Sequence, residues 1–261
     1  MNHIGEKIQD EIIVRALKCY RSKIEFVNAG GYYKLSRYLY RDYGYTVNHK
    51  KVYRLCAANK LLLPLRKKVS KRKDKRICQN RTISKPHELW ELDLKYGYIH
   101  GEERFYFMLI IIDVFSRYVV NYHIGLHCTG KDLMFALNIA IEKHKADANQ
   151  LVIRSDNGTQ MTSKVFIENI QSYDDAVIHE LIPIATPNMN AHVESFNAIL
   201  EIEFLQVRYF ADYSQAYEET VGFIHNYNTE RIHGSLKWNT PNEAREIYLN
   251  GGDLGIKEVR L

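Results

Sequence analysis

Residues Phe105 to Ile112 form an unbroken apolar run, FYFMLIII, bounded by Arg104 and Asp113. It is the longest such run in the chain and falls far short of the roughly 18 residues a membrane span requires. It therefore reads as a buried strand, and a buried strand needs a core built around it. Leu92 to Ile99 and Tyr118 to Ile124 read as its neighbours, with Gly101 marking the first turn and Ser116-Arg117 the second. A helix follows over Gly130 to Lys145, with Leu133, Leu137 and Ile141 on one face. Leu151 to Ser155 is a fourth strand, ending at Asp156-Asn157-Gly158. The pattern continues with a helix over Lys164 to Ile170, a strand over Val177 to Ile182, and helices starting near Asn190 and Asp212. A three-strand meander followed by α, β, α, β, α is an α/β domain with one mixed five-stranded sheet and flanking helices.

The front of the chain is all helical. Glu6 to about Lys23 has helical spacing, with Ile8, Ile12, Ala16 and Cys19 on one side. Tyr32 to Arg41 reads as a short helix with Leu35 and Leu39 inward, broken by Asp42-Tyr43-Gly44-Tyr45. Asn48 can cap a second helix carrying Val52, Leu55 and Cys56. Two short helices across a glycine-containing turn make a helix-turn-helix, whose second helix would present His49, Lys50, Lys51 and Arg54 to DNA. From Arg66 to Arg76 the chain reads RKKVSKRKDKR, eight basic residues and one acid. Like charges at that density repel one another. The segment reads as a basic linker, with Lys67, Lys68, Lys71, Arg72 and Lys73 placed to follow a phosphate backbone. The expected division is 1–65 helix-turn-helix domain, 66–86 linker, 87–250 α/β domain and 251–261 tail.

Charge follows the same division. Residues 1–86 hold 22 Lys/Arg against 6 Asp/Glu, while residues 87–261 hold 14 against 25, so +16 and −11 combine to the net +5. A basic front can neutralise phosphates, and an acidic back can concentrate carboxylates around metal ions. Cys19, Cys56, Cys78 and Cys128 are far apart and form no CxxC pair, which speaks against a zinc site or disulfide framework and for a reducing cytoplasm. No apolar signal core opens the sequence, and no membrane association is expected.

Three carboxylates occupy telling places. Asp93 lies inside a strand between Leu92 and Leu94, where a charge is costly without a partner. Asp156 ends an apolar strand, where side chains emerge into a cleft. Glu194 follows the loop TPNMNAHV near a helix start, able to lean back toward the sheet. Each alone has an ordinary explanation as a strand-edge residue, a turn former or a first-turn helix charge. Together, three hard oxygen ligands suit Mg²⁺ or Mn²⁺, and two such ions could act on a phosphodiester.

The stretch from Trp90 to about Tyr248 resembles the retroviral-integrase-like catalytic core of DDE transposases. More narrowly, it resembles the second-reading-frame transposase of bacterial insertion sequences. The matching residues are WELD at Trp90 to Asp93, IDVFSR at Ile112 to Arg117 and SDNGTQ at Ser155 to Gln160. They continue with TPNMNAHVESF at Thr186 to Phe196, YNTERIHGSL at Tyr227 to Leu236 and TPNEA at Thr240 to Ala244. The segment Gly30 to Leu63 resembles the helix-turn-helix that precedes this core.

The resemblance implies an RNase H-like fold and metal-dependent strand transfer of a mobile element. It places two Mg²⁺ or Mn²⁺ ions at Asp93, Asp156 and Glu194. Asn157 and Asn197 become DNA-binding candidates beside them. Tyr227, Asn228, Arg231 and His233 are packing or DNA-contact residues, with Arg231 the DNA candidate. Asp113 is expected to hold its hairpin through Ser116 or Arg117. Implied partners are double-stranded DNA, a second copy or larger assembly on it, and an upstream-frame protein. The implied location is the bacterial cytoplasm, on the nucleoid when DNA-bound.

Two departures stand out. The interval from Asp156 to Glu194 is two residues longer than usual, assigned to the turn Ser172-Tyr173-Asp174-Asp175. Glu201 stands where the group commonly has a basic residue, a task that Arg208 could take over. The competing readings are a non-catalytic DNA-binding regulator and an RNase H-type nuclease.

Overall fold

A computed structural model describes residues 8–23, 30–62, 81–144, 150–182, 187–256 and 258–260. The basic run 66–76, with Lys67, Lys68, Lys71, Arg72 and Lys73, lies outside them. The chain divides into two compact units, Met1–Arg72 and Lys73–Leu261.

The first unit contains three helices, α1 (Asp10–Lys23), α2 (Tyr32–Tyr43) and α3 (His49–Ala58). Leu35, Leu39, Val52, Leu55 and Cys56 are buried as their spacing requires. The α1 face differs from expectation: Ile13, Ala16, Leu17 and Tyr20 are buried, whereas Ile12 is 46% exposed. Tyr20 decides the phase, because its hydroxyl donates to Asp42 at 2.7 Å and lies 3.0 Å from the Tyr38 carbonyl, both on α2. Gly44 closes α2 in the left-handed region at φ 66, and Asn48 caps α3 by accepting from the Lys50 amide.

The second unit is built on a five-stranded sheet. Its strands are β2 (Leu89–Ile99), β3 (Arg104–Asp113), β4 (Val119–Gly125), β5 (Leu151–Ser155) and β6 (Val177–Leu181), preceded by the short β1 (Thr82–Ile83). The sheet order is β4-β3-β2-β5-β6, antiparallel from β2 through β4 and parallel from β2 through β6. Helices α4 (Gly130–His144) and α5 (Lys164–Gln171) cover one face, where Trp90, Leu92, Leu109, Ile111, Ile153, Leu133, Leu137 and Phe166 form the main core. Helices α6 (Ala191–Glu203) and α7 (Tyr213–Thr229) cover the other. There Tyr106 donates or accepts with Thr220 of α7, and Phe196, Phe204 and Phe223 pack ring on ring. Gly97 lies opposite Tyr106, whose ring would stand 2.2 Å from any added Cβ.

Two expectations for the ends of this unit fail. Residues 81–86 are not all linker, since β1 is ordered and Ile83 is buried. Nor is 251–261 a free tail: Val259–Arg260 forms β7 and pairs antiparallel with β1, and Leu254 joins Ile83, Leu89 and Val114 in a second cluster. A further helix, α8 (Pro241–Leu249), completes the fold.

Candidate active site

Alternation along β2 sorts its side chains. Trp90 and Leu92 enter the core beneath α4 and α5, so Glu91, Asp93 and Lys95 face α6. That polar stripe meets α6 residue by residue. Glu91, fully buried, accepts from the amides of His192 and Val193, each at 2.8 Å, and sits 3.0 Å from His192 Nδ1. Asn197 donates to Asp93 Oδ2 at 2.6 Å, and Lys95 pairs with Glu201 at 2.7 Å. Two residues of strand advance about 6.6 Å and four residues of helix about 6 Å, so the two elements stay in step over these rungs.

Asp156 arrives from the neighbouring strand. Leu92 and Ser155 are the last paired residues of β2 and β5, and Asp93 and Asp156 are the next along each. Asp156 is exposed at the turn, where it accepts from the Gly158 amide at 3.0 Å. Glu194 lies in the first turn of α6. Asp93 senses the other two carboxylates: burial, then the charges of Asp156 and Glu194, push it up to about 6, against hydrogen bonds from Leu94 and Asn197 that oppose the rise. Among the described residues, neither Asp93 nor Asp156 is paired with a Lys or Arg. Nor do three His, Cys, Asp or Glu side chains among them close into a finished ion cage.

The other expected residues divide clearly. Asn157 spends its amide on the Ile182 carbonyl at 2.6 Å, tying the end of β5 to the end of β6. Asn197 is buried and committed to Asp93. Arg231 is buried and doubly bonded to Glu203 at 3.1 and 2.8 Å, which fits packing rather than DNA contact. Asn228 exchanges both hydrogen bonds with the Val119 backbone, docking α7 on β4. Asp113 accepts from the Ser116 amide and hydroxyl and from the His87 amide, while Arg117 turns to the Val114 carbonyl. Burial raises the Asp113 carboxyl, which is already filled by these donors and unavailable to an ion. Glu201 is neutralised by Lys95, and Arg208 pairs instead with Glu219.

On α3, Lys50 and Arg54 are exposed as expected, and so is Tyr53. His49 and Lys51 are only partly exposed. His49 is half-buried against Tyr32 and Tyr33, and Lys51 forms an ion pair with Asp10 of α1.

The residues missed by sequence reasoning are Glu91 and Lys95. Their one signal is the spacing 91, 93, 95, which puts three charged side chains on one face of a strand whose other face is apolar.

A family profile described as an integrase core domain matches residues 83–179, and a second with the same description matches 175–241. The chain carries an integrase core. An HTH-like domain precedes it, matched over residues 9–69. The core's relatives are insertion-element proteins. The chain is 27% identical over 190 residues to an uncharacterized 39.2 kDa protein of insertion element IS476 from Xanthomonas euvesicatoria, covering 73% of this chain and 53% of that one. It is 26% identical over 215 residues to a 31.7 kDa protein of IS407 from Burkholderia multivorans, covering 82% and 74%. It is 26% identical over 159 residues to the transposase of IS904 from Lactococcus lactis, covering 60% and 61%. The chain thus spans about half the length of the first of these relatives. Its fold matches a chain of the simian T-cell lymphotropic virus intasome, solved with a PP2A regulatory subunit, at a TM-score of 0.53 and 17% identity. That match covers 88% of this chain and 74% of the other. No helix among the described residues is long and apolar enough to cross a membrane.

Proposed function

We propose that this chain is a DNA transposase that cuts one strand at each end of a mobile element and joins the freed 3′-ends to target DNA. Asp93, Asp156 and Glu194 carry the chemistry. The observation that supports this most is convergence: Asp93 and Asp156 follow the paired Leu92 and Ser155 of adjacent parallel strands, and α6, which carries Glu194, bonds Asp93 through Asn197, so that half-buried Asp93 is held above its ordinary range by burial and by the two other carboxylates. A fold keeps such repulsion where function requires it.

The donor set fits two Mg²⁺ or Mn²⁺ ions: carboxylate oxygens alone, from β2, the turn after β5 and the first turn of α6, without a matching cation on Asp93 or Asp156. Bound there, the ions would activate a water or 3′-hydroxyl and stabilise the leaving oxygen of a phosphodiester. The protein's own part is placement. Asn197 orients Asp93, the Gly158 amide holds Asp156 in its turn, and α6 carries Glu194 to the same edge of the sheet.

Double-stranded DNA is the partner this reading requires, met in part by Lys50 and Arg54 on α3 and by the basic run 66–76. Two element ends call for two active sites, hence a dimer or larger assembly, and an upstream-frame protein could complete it. The test is a comparison of substrates with Mg²⁺ or Mn²⁺. Joining of a pre-cut element end to target DNA supports the proposal. Degradation of an RNA–DNA hybrid without joining would make the chain a nuclease of the RNase H type, and DNA binding without any product would make it a regulator.

A further inference from the structure

We infer that Glu91 is a positioning residue that sets the spacing between Asp93 and Glu194. This rests on the reading of those acids as metal ligands.

Helix α6 begins without a local cap. Its N-cap residue, Asn190, makes no capping bond and instead donates its side-chain amide to the Leu92 carbonyl at 3.1 Å. The first amides of a helix need acceptors from somewhere. Here one strand carboxylate supplies them: Glu91 Oε2 accepts from His192 and Val193, and Oε1 faces His192 Nδ1. A fully buried carboxylate is costly unless it is well bonded, and this one is, with the positive end of the helix dipole against it. Because Glu91 is held by two backbone amides and the His192 ring, its role is to hold rather than to ligate.

The consequence is geometric. Asp93 stands two residues after Glu91 on the same strand face, and Glu194 follows the two bonded amides on the helix. Glu91 and the Asn190–Leu92 contact fix the first turn of α6 to β2, so each ligand is placed relative to the other through this joint. Losing the joint frees the start of α6 to shift against β2, which changes the spacing of the two acids that would hold the ion.

The experiment measures Mn²⁺ binding by calorimetry and melting by circular dichroism on the full chain, in wild type, Glu91→Gln, Glu91→Ala and Asp156→Asn. Glu91→Gln keeps one acceptor oxygen and the side-chain volume, and is expected to lose affinity moderately. Glu91→Ala is expected to lose about 10- to 100-fold, as other supports of metal ligands do. A purely structural role predicts a lower melting temperature with unchanged Mn²⁺ affinity in both folded variants, and that result overturns the inference. Where Glu91→Ala does not fold, Glu91→Gln alone decides. The metal-site reading fails separately: wild-type binding that is absent, or that survives Asp156→Asn, removes the site and the role of Glu91 with it.

Discussion

The side-chain amide of Asn197 lies 2.6 Å from Asp93 Oδ2 and donates to it, one full turn of α6 beyond Glu194. That bond favours the ionised carboxylate against the burial and the neighbouring charges that raise it to about 6. Replacing Asn197 with Ala removes a donor to a charged group, so Asp93 should ionise at a higher pH still. The pH at half-maximal Mn²⁺ binding should move upward by on the order of one unit. An unchanged pH profile would show that Asn197 does not act through Asp93.

Asp93 also gives the metal-free protein a pH-dependent liability. Its folded value of about 6 lies above the ordinary 3.8, so the folded form holds the proton more tightly than the unfolded chain. The penalty is present above pH 6 and disappears as pH falls toward 4. Asp93→Asn should therefore stabilise the metal-free protein at pH 8 by up to about 3 kcal/mol, seen as a higher melting temperature. The gain should shrink toward pH 4, and added Mn²⁺ should stabilise wild type but not the variant. A variant less stable at pH 8 would contradict this.

Lys95 and Glu201 each expose about a third of their side chains, 31% and 34%, so their pair contributes little to stability. Its importance is to the charge beside the site. Lys95→Ala uncovers Glu201 and should weaken binding of an element end, with a salt dependence shallower by about one ion. Lys95→Ala combined with Glu201→Gln should recover much of that affinity. Equal binding by all forms, measured by fluorescence anisotropy across a salt series, would place DNA elsewhere.

Arg231 behaves oppositely to a DNA-contact residue. Both it and Glu203 are buried, so Arg231→Met strands a carboxylate in the core and should cost about 3–5 kcal/mol, seen as a lower urea midpoint. Replacing both with apolar residues should cost much less. A folded, fully stable Arg231→Met that merely binds DNA poorly would reverse this assignment.

Much of the architecture was legible because strands and helices announce themselves by period. The run Phe105 to Ile112 became β3, beside β2 at the middle of the sheet, and the helix-turn-helix followed from Leu35, Leu39, Val52 and Gly44. What escaped depends on partners distant in sequence. Glu91 carries no local signal within WELD because its donors, His192 and Val193, lie about a hundred residues on. The last residues read as a tail because β7 takes its meaning only from β1. Helix α8 was overlooked despite a local signal, since Thr240, Pro241 and Glu243 form a capping box with proline at the first turn. For His49 and Lys51, pattern gives the face of the helix but not the α1 acid or the α2 rings that partly cover them.

Asp93, Asp156 and Glu194 are proposed to act as one metal-dependent site on DNA. The most direct measurement is strand joining of a pre-cut element end by wild type and by Asp93→Asn, Asp156→Asn and Glu194→Gln, each confirmed as folded and DNA-bound. Metal-dependent joined product from wild type alone is the predicted result. Joining that persists in any one of the three variants would contradict it.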